Sequence, residues 1–354
     1  MKRKGFTLIE LLAVIVVLAI IALIATPIVM NTIKNAKKGT IKNSIENYVK
    51  AVEYAALEKK KNSNDSVDGI YSVDSEGNLC KEGDCNNKII AEVNGKKPTS
   101  GVIKIANGTV AKIVGLTIDD NFINKTDEEE FLSVDSPICT ASKALTNTDA
   151  GSLATSEEDM YNYGIEYKCD PGDGKTRTFY VLKVTDKLVY LLMDRNLSNN
   201  VTLSPDGTNK NGPVYAMEQL NEKTATWNKV LVELPPADLF FTAAGKDFNK
   251  YRYYGERLLP YVDTRYKYFC TNLKGCSGNS SCIDDGTSVA NLRGFYTSTI
   301  FNYSTNNTFM FALSYNPNSS SDDLRTVVGW TSFKTLTHGV RPLIVLNKER
   351  VSLN

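Results

Sequence analysis

Residues 6–30, FTLIELLAVIVVLAIIALIATPIVM, form a run of 25 residues with one charge, Glu10. At ~1.5 Å per residue a helix of this length reaches roughly 37 Å, enough to cross a bilayer core. Lys2, Arg3 and Lys4 precede the run. Basic residues on that flank place the N-terminus in the cytoplasm and the remainder outside. A secretory signal peptide has a shorter apolar core closed by a small-residue cleavage site. This run is too long, lacks such a site, and carries a carboxylate at its cytoplasmic end. A plain membrane anchor explains the length but not the charge pattern, because a carboxylate in hydrocarbon costs roughly 3 kcal/mol and needs a partner.

The helix is predicted to continue to about residue 60. Ile33, Ile41, Ile45, Tyr48, Val49, Val52 and Ala56 recur at helical spacing, with lysines and asparagines on the other face. Gly39 weakens the run locally. Such a stripe needs a surface to cover it. Residues 61–78 are polar and turn-rich, which ends the helix. Residues 88–118 then alternate apolar and polar side chains, broken by Asn94-Gly95, Ser100-Gly101 and Asn107-Gly108. That is the pattern of short strands joined by tight turns, predicting a small antiparallel sheet on the helix.

Residues 122–160 are acidic, Ser/Thr-rich and weakly periodic, and read as a linker with strand edges beginning near residue 125. Residues 161–354 form a second module with strong strands at TFYVLKVTD, KLVYLLMDRNL and GVRPLIVLN. The organisation is therefore 1–5 leader, 6–60 helix, 61–125 small β head, 126–160 linker and 161–354 second module.

The chain has 354 residues and a formal net charge of +1; the three leader cations leave the rest at −2. Nothing in that balance marks a nucleic-acid surface. A single histidine, His338, argues against His-based catalysis and multi-His metal sites. Nothing in the sequence calls for a cofactor or a metal, and no catalytic constellation is present. The seven cysteines are Cys80, Cys85, Cys139, Cys169, Cys270, Cys276 and Cys282, none in a C-x-x-C pair. Disulfides in an oxidising exterior fit this usage. Cys80 and Cys85 would close the short loop LCKEGDC, and Cys139 and Cys169 would bracket the linker. Two of Cys270, Cys276 and Cys282 would pair and leave one over.

The segment K-G-F-T-L-I-E followed by a long apolar helix resembles the type IV pilin and pseudopilin family. The resemblance implies cleavage between Gly5 and Phe6 by a membrane prepilin peptidase, with N-methylation of the new Phe6 amine. It also implies that Glu10 and Pro27 serve filament assembly, the proline loosening the helix inside the filament. Physically, Pro27 removes one backbone donor and crowds the preceding turn, so a kink or melted stretch is predicted there. In the second module, four segments resemble a C-type-lectin-like module related in fold to formylglycine-generating enzymes. They are Met193-Asp194-Arg195-Asn196-Leu197, Leu234-Pro235, Gly294-Phe295-Tyr296-Thr297-Ser298-Thr299 and Gly339-Val340-Arg341-Pro342. They mark core and turn positions and argue fold rather than activity.

Arg341 reads either as a ligand-binding arginine or as a structural one. Trp227 and Trp330 read as sugar platforms or as core. His338 reads as a loop residue. Asp170/Asp173 and Asp284/Asp285 read as turns or as calcium ligands. A formylglycine-type oxidase needs a reactive cysteine pair in a cleft, whereas Cys270, Cys276 and Cys282 sit in the polar stretch CTNLKGCSGNSSC.

The fold class is thus α+β: a long N-terminal transmembrane helix packed on a small antiparallel β head, then a mixed, loop-rich, lectin-like module. The implied function is a structural or adhesive subunit of a surface filament. Its partners would be other pilin subunits, the prepilin peptidase, the assembly machinery, membrane lipid, and a surface glycan or protein ligand. The alternatives are a pseudopilin of a secretion or DNA-uptake apparatus and a membrane-tethered enzyme. The subunit would be a single-pass membrane protein before assembly and extracellular afterwards. Gly5→Leu should block cleavage, because a peptidase of this kind accepts a very small residue there. Mass spectrometry should then find the leader intact, against Phe6 as first residue in the wild type.

Overall fold

The computed structural model describes residues 8–62, 66–82, 84–118, 121–125, 130–133, 137–143, 164–202, 213–243, 247–248, 284, 294–304, 307–315, 324–329 and 337–353. Helix α1 (Leu8–Asn62) runs for 55 residues, a rod of roughly 80 Å. Of the kink or melted stretch predicted at Pro27, a melted stretch is not seen: the helix is continuous there. The proline removes the amide that would otherwise donate to Leu23. At the preceding residue the Thr26 hydroxyl donates to the Ala22 carbonyl. The side chains of Glu10, Ile24, Pro27 and Ile28 lie outside the described set, so the apolar run is described with gaps. Among the described residues no helix is long and apolar enough to cross a membrane.

The lower half of α1 packs on the head. Ile41, Ile45, Tyr48, Val49, Val52 and Ala56 are buried as the spacing predicts, whereas Ile33 is exposed and lies above the contact. The head sheet has seven strands: β1 (Gly69–Val73), β2 (Leu79–Lys81), β3 (Asp84–Ile89), β4 (Ser100–Ala106), β5 (Thr109–Ile118), β6 (Asn121–Lys125) and β7 (Glu130–Ser133). Their order is β3-β2-β1-β4-β5-β6-β7, antiparallel throughout. Tyr71, Val73, Leu79, Ile103, Ile105, Ile113 and Leu116 meet the helix stripe in one cluster. The Tyr48 hydroxyl donates to the Gly77 carbonyl at 2.8 Å, and burial pushes its pKa far above the usual phenol value. The Glu53 carboxylate accepts from the Val110 amide at 3.0 Å, tying α1 to the β4–β5 hairpin.

Of the three Asx/Ser-Gly breaks in the sequence, one is a hairpin turn. Asn107 and Gly108 both have positive φ, 55° and 78°, between β4 and β5. Two such residues make the mirror-image turn that matches strand twist. Asn94-Gly95 lies in an irregular connection before β4. Ser100-Gly101 begins β4 instead of ending a strand. Gly101 has φ 140°, and a Cβ there would meet Leu116 at 2.5 Å. The glycine permits a close crossing over β5 beside a register shift.

The expected linker contributes structure. Strand β7 extends the head sheet, and β8 (Cys139–Lys143) belongs to a second sheet. The second module therefore begins before residue 161. The second sheet adds β9 (Glu166–Cys169), β10 (Arg177–Val184) and β11 (Leu188–Met193). Strand β12 (Ser198–Thr202) opens a third sheet, and β13 (Leu231–Glu233) returns to the second. Helices α2 (Val214–Lys223) and α3 (Ala237–Ala243) flank β13 in the chain. Strands β14 (Gly294–Ser304), β15 (Asn307–Tyr315), β16 (Leu324–Gly329) and β17 (Thr337–Val340) complete the third sheet. Strands β18 (Leu343–Asn347) and β19 (Val351–Leu353) close the second. The second sheet has the order β13-β18-β11-β10-β9-β8-β19 and the third β12-β17-β14-β15-β16.

Strand β11 is buried at every position, so the second sheet has no solvent face at its centre. Val189, Leu191 and Met193 enter one cluster with Phe179, Val181, Ile344, Trp227 and Leu220. Leu188, Tyr190 and Leu192 enter another with Leu343, Val345, Phe240 and Phe295. That second cluster also contains Ile70, Val102 and Val114 of the head sheet. The head and the second module thus share a core; a module hung on a linker would not. Lys104 of β4 pairs with Glu233 of β13 at 2.6 Å, and Lys183 of β10 pairs with Glu82 at 2.5 Å. Val102→Asp, which puts a carboxylate between the two sheets, should cost about 3–5 kcal/mol. Trp227 fluorescence during urea unfolding reads the second module. Its midpoint should fall with that of the head; an unchanged midpoint would mean that the two fold independently.

Candidate functional site

The first candidate site is the upper part of α1. Leu8, Ile9, Leu11, Leu12, Val14, Ile15, Val16, Val17, Leu18, Ile20, Ile21 and Leu23 are all exposed, Leu8 at 85% and Leu23 at 79%. Successive residues on every side of a helix cannot all face one core. An all-round apolar surface of this kind belongs in lipid or inside an assembly. Gly5 and Phe6 lie outside the described residues, and Glu10 and Pro27 are placed in the helix without described side chains. The helix puts Glu10 in the first turn of its described length.

The second candidate is where the four segments singled out in the second module meet. The Leu197 amide donates to the Val340 carbonyl at 2.7 Å, and the Met193 amide to Pro342 at 3.1 Å. Arg341 is 2% exposed. Its Nε donates to Asn196 Oδ1 at 2.8 Å, and its guanidinium lies 4.6 Å from the Phe295 ring centroid. Phe295 stands beside Gly339 in the parallel pairing of β14 with β17. The Ser298 amide donates to Pro235, and the Ala237 amide to Thr299 Oγ1. Asn196 and Arg341, 145 positions apart, are thereby pinned at one buried guanidinium. This geometry is that of a structural arginine. His338, read from sequence as a loop residue, lies in β17, 2% exposed, with its ring 5.2 Å from Tyr296.

The acidic residues weighed as calcium ligands are engaged by cations. Arg177 donates from Nη1 and Nη2 to the two oxygens of Asp173, each at 2.8 Å. Its Nε and Nη2 reach Asp284 at 2.9 and 2.8 Å. Asp170 accepts from the amides of Gly172 and Gly174, both at 3.0 Å, and from Lys229 at 2.7 Å. The DPGDG segment is therefore a turn that orients two carboxylates for ion pairs. Asp285 lies outside the described residues. Trp227 is buried against Phe179, with Arg177 4.8 Å from its ring centroid, and so is core. Trp330 lies outside the described residues. Arg177, a cation inside a strand pattern, carried the one sequence signal that could have revealed this clamp.

The disulfides Cys80–Cys85 and Cys139–Cys169 are present, while Cys270, Cys276 and Cys282 lie outside the described residues. Among the described residues, Asp74, Cys80 and Cys85 come within metal-ligand range of one another. Both sulfurs are committed to their disulfide, and Asp74 is held by Lys88 at 2.8 Å.

With the geometry in hand, comparison with known proteins adds one finding. Residues 1–26 match the family model of the prokaryotic N-terminal methylation motif. No curated protein and no solved structure matches the chain. The motif indicates prepilin processing of the type IV pilin-like or pseudopilin-like kind.

The clamp has a pH signature. Burial on its own would raise the carboxyls of Asp170 and Asp173. For Asp173 the hydrogen bonds from Arg177 and the Lys175 amide outweigh it, and for Asp170 those from Lys229 and the glycine amides do. Both end below the ordinary 3.8. A depressed folded pKa gives stability that is present above the unfolded value and is lost as pH falls through the folded one. Arg177→Met should cost about 3 kcal/mol at neutral pH by leaving partly buried carboxylates uncompensated. Its deficit relative to wild type should shrink as pH falls below 3.8. Urea midpoints across acid pH check both statements.

Proposed function

We propose that this protein is a type IV pilin-like subunit of a surface filament, processed by a prepilin peptidase and assembled through its N-terminal helix. The observation that carries the reading is the conjunction at the N-terminus. A methylation motif opens a helix whose first turns expose apolar side chains on all sides. Before assembly that surface is covered by lipid, with the N-terminus in the cytoplasm; in the filament it is covered by the same segment of neighbouring subunits. The globular part acts outside the membrane by binding and not by catalysis. Its second module serves adhesion to a surface glycan or protein. A pseudopilin of a secretion or uptake machine would use the same helix and the same chemistry.

Cleavage after Gly5 creates a positive amine on Phe6, one helical turn from Glu10. Each subunit then carries a cation and an anion at membrane depth. Two lone charges in hydrocarbon are each costly, and pairing recovers much of that cost. A contact from Glu10 to the Phe6 amine of a neighbour also fixes the axial register of stacked helices. Glu10→Val should leave a processed, membrane-resident subunit that enters filaments poorly, through a loss of about 3 kcal/mol per subunit contact. Glu10→Asp should be intermediate, since its shorter side chain reaches less far. Sheared filaments are separated from membranes and the subunit is quantified in each. Wild-type incorporation of Glu10→Val would refute the register role.

A further inference from the structure

Two Asn-Gly pairs in the head differ in a way that bears on covalent chemistry. Asn107-Gly108 forms the tight turn of the β4–β5 hairpin, flanked by the paired residues Ala106 and Thr109. The Gly108 amide donates to Asp68 Oδ1 at 3.0 Å, and the Thr109 hydroxyl bonds back to Ala106 at 3.0 Å. Asn94-Gly95 lies in the connection between β3 and β4, with both residues exposed. A Cβ built on Gly95 would meet nothing within 4 Å. Neither Asn94 nor the Gly95 amide is engaged in a hydrogen bond among the described residues.

We infer that Asn94 is a site of spontaneous self-modification, through a cyclic imide with Gly95, and that Asn107 is protected from the same reaction. The Gly95 amide nitrogen gives up its proton to solvent and attacks Asn94 Cγ. The new N–Cγ bond closes the ring, and the Cγ–Nδ2 bond breaks to release ammonia. Water then opens the imide at either carbonyl, giving aspartate or isoaspartate at position 94. The step consumes only water and needs no oxidant or enzyme. Its demands are an unhindered following residue, an amide nitrogen free to lose its proton, and a backbone able to rotate until nitrogen and Cγ meet. Asn94-Gly95 meets all three. In Asn107-Gly108 the nitrogen's proton is held by a carboxylate whose negative charge opposes its loss, and the hairpin fixes the backbone. The product adds one negative charge in front of Lys96 and Lys97, taking the formal net charge from +1 to zero.

The test uses the full-length chain with Asn211→Gln, which removes a third Asn-Gly pair that lies outside the described residues. The folded protein is held in mildly alkaline buffer and sampled over time by isoelectric focusing and peptide mapping. The expected result is an acidic shift of one charge, with aspartate and isoaspartate at position 94 and asparagine retained at 107. Asn94→Gln should abolish the shift. Asp68→Ala, with folding checked by circular dichroism, should let Asn107 convert as well. Equal conversion at 94 and 107 in the folded protein would overturn the proposal. So would an unmodified Asn94 under conditions where the urea-unfolded chain converts at both positions.

Discussion

The central strands of the head sheet, β1, β4 and β5, are covered on both faces, and the arrangement of the described structure depends on that. A small antiparallel sheet usually keeps one face in water. Here Tyr71, Ile103, Ile105 and Ile113 meet α1, while Ile70, Val102 and Val114 meet the second sheet. The strand period of two makes this possible, since alternate side chains serve opposite partners. Three layers follow: a helix, the head sheet and the second sheet. A one-residue slip in β4 would put Lys104 against the helix and Ile103 against the second module, damaging both contacts together.

Polar groups at the layer boundaries hold position where apolar packing is tolerant. Lys104 with Glu233 and Lys183 with Glu82 link head to module at its margin. Farther along, Arg177 gathers Asp173 and Asp284 from loops 4 and 107 positions away, and Arg341 gathers Asn196 beside Phe295. Arginine suits both sites: the planar fork of Arg177 satisfies two carboxylates at once, and each guanidinium lies near an aromatic ring. The buried charges therefore organise long connections.

Local patterns and the Cys139–Cys169 bridge were legible in the sequence, and most three-dimensional partnerships were not. Ile41, Ile45, Tyr48, Val49, Val52 and Ala56 announced the stripe of α1 because helical period is written in spacing. The Asn107-Gly108 turn and the Cys80–Cys85 loop were also local. Ser100-Gly101 misled, because a glycine allowing a close strand crossing looks like one that makes a turn. The role of Val102 against the second sheet was invisible: alternation says that a strand has two faces, not what covers the second. At the candidate site, the processing motif was readable from seven consecutive residues. The Arg177 clamp needed partners 4 and 107 positions away that no spacing rule connects.

Strand β8 enters the second sheet beside β9, and Cys139 stands opposite Cys169 in that ladder with the two sulfurs joined. A pull on the chain ahead of β8 reaches Cys139 at the first pair of that ladder. The covalent bridge lies in parallel with the ladder's hydrogen bonds at the first rung. Tension arriving from the head is therefore handed to β9, and through it to β10 at the sheet's interior, without first peeling β8 away.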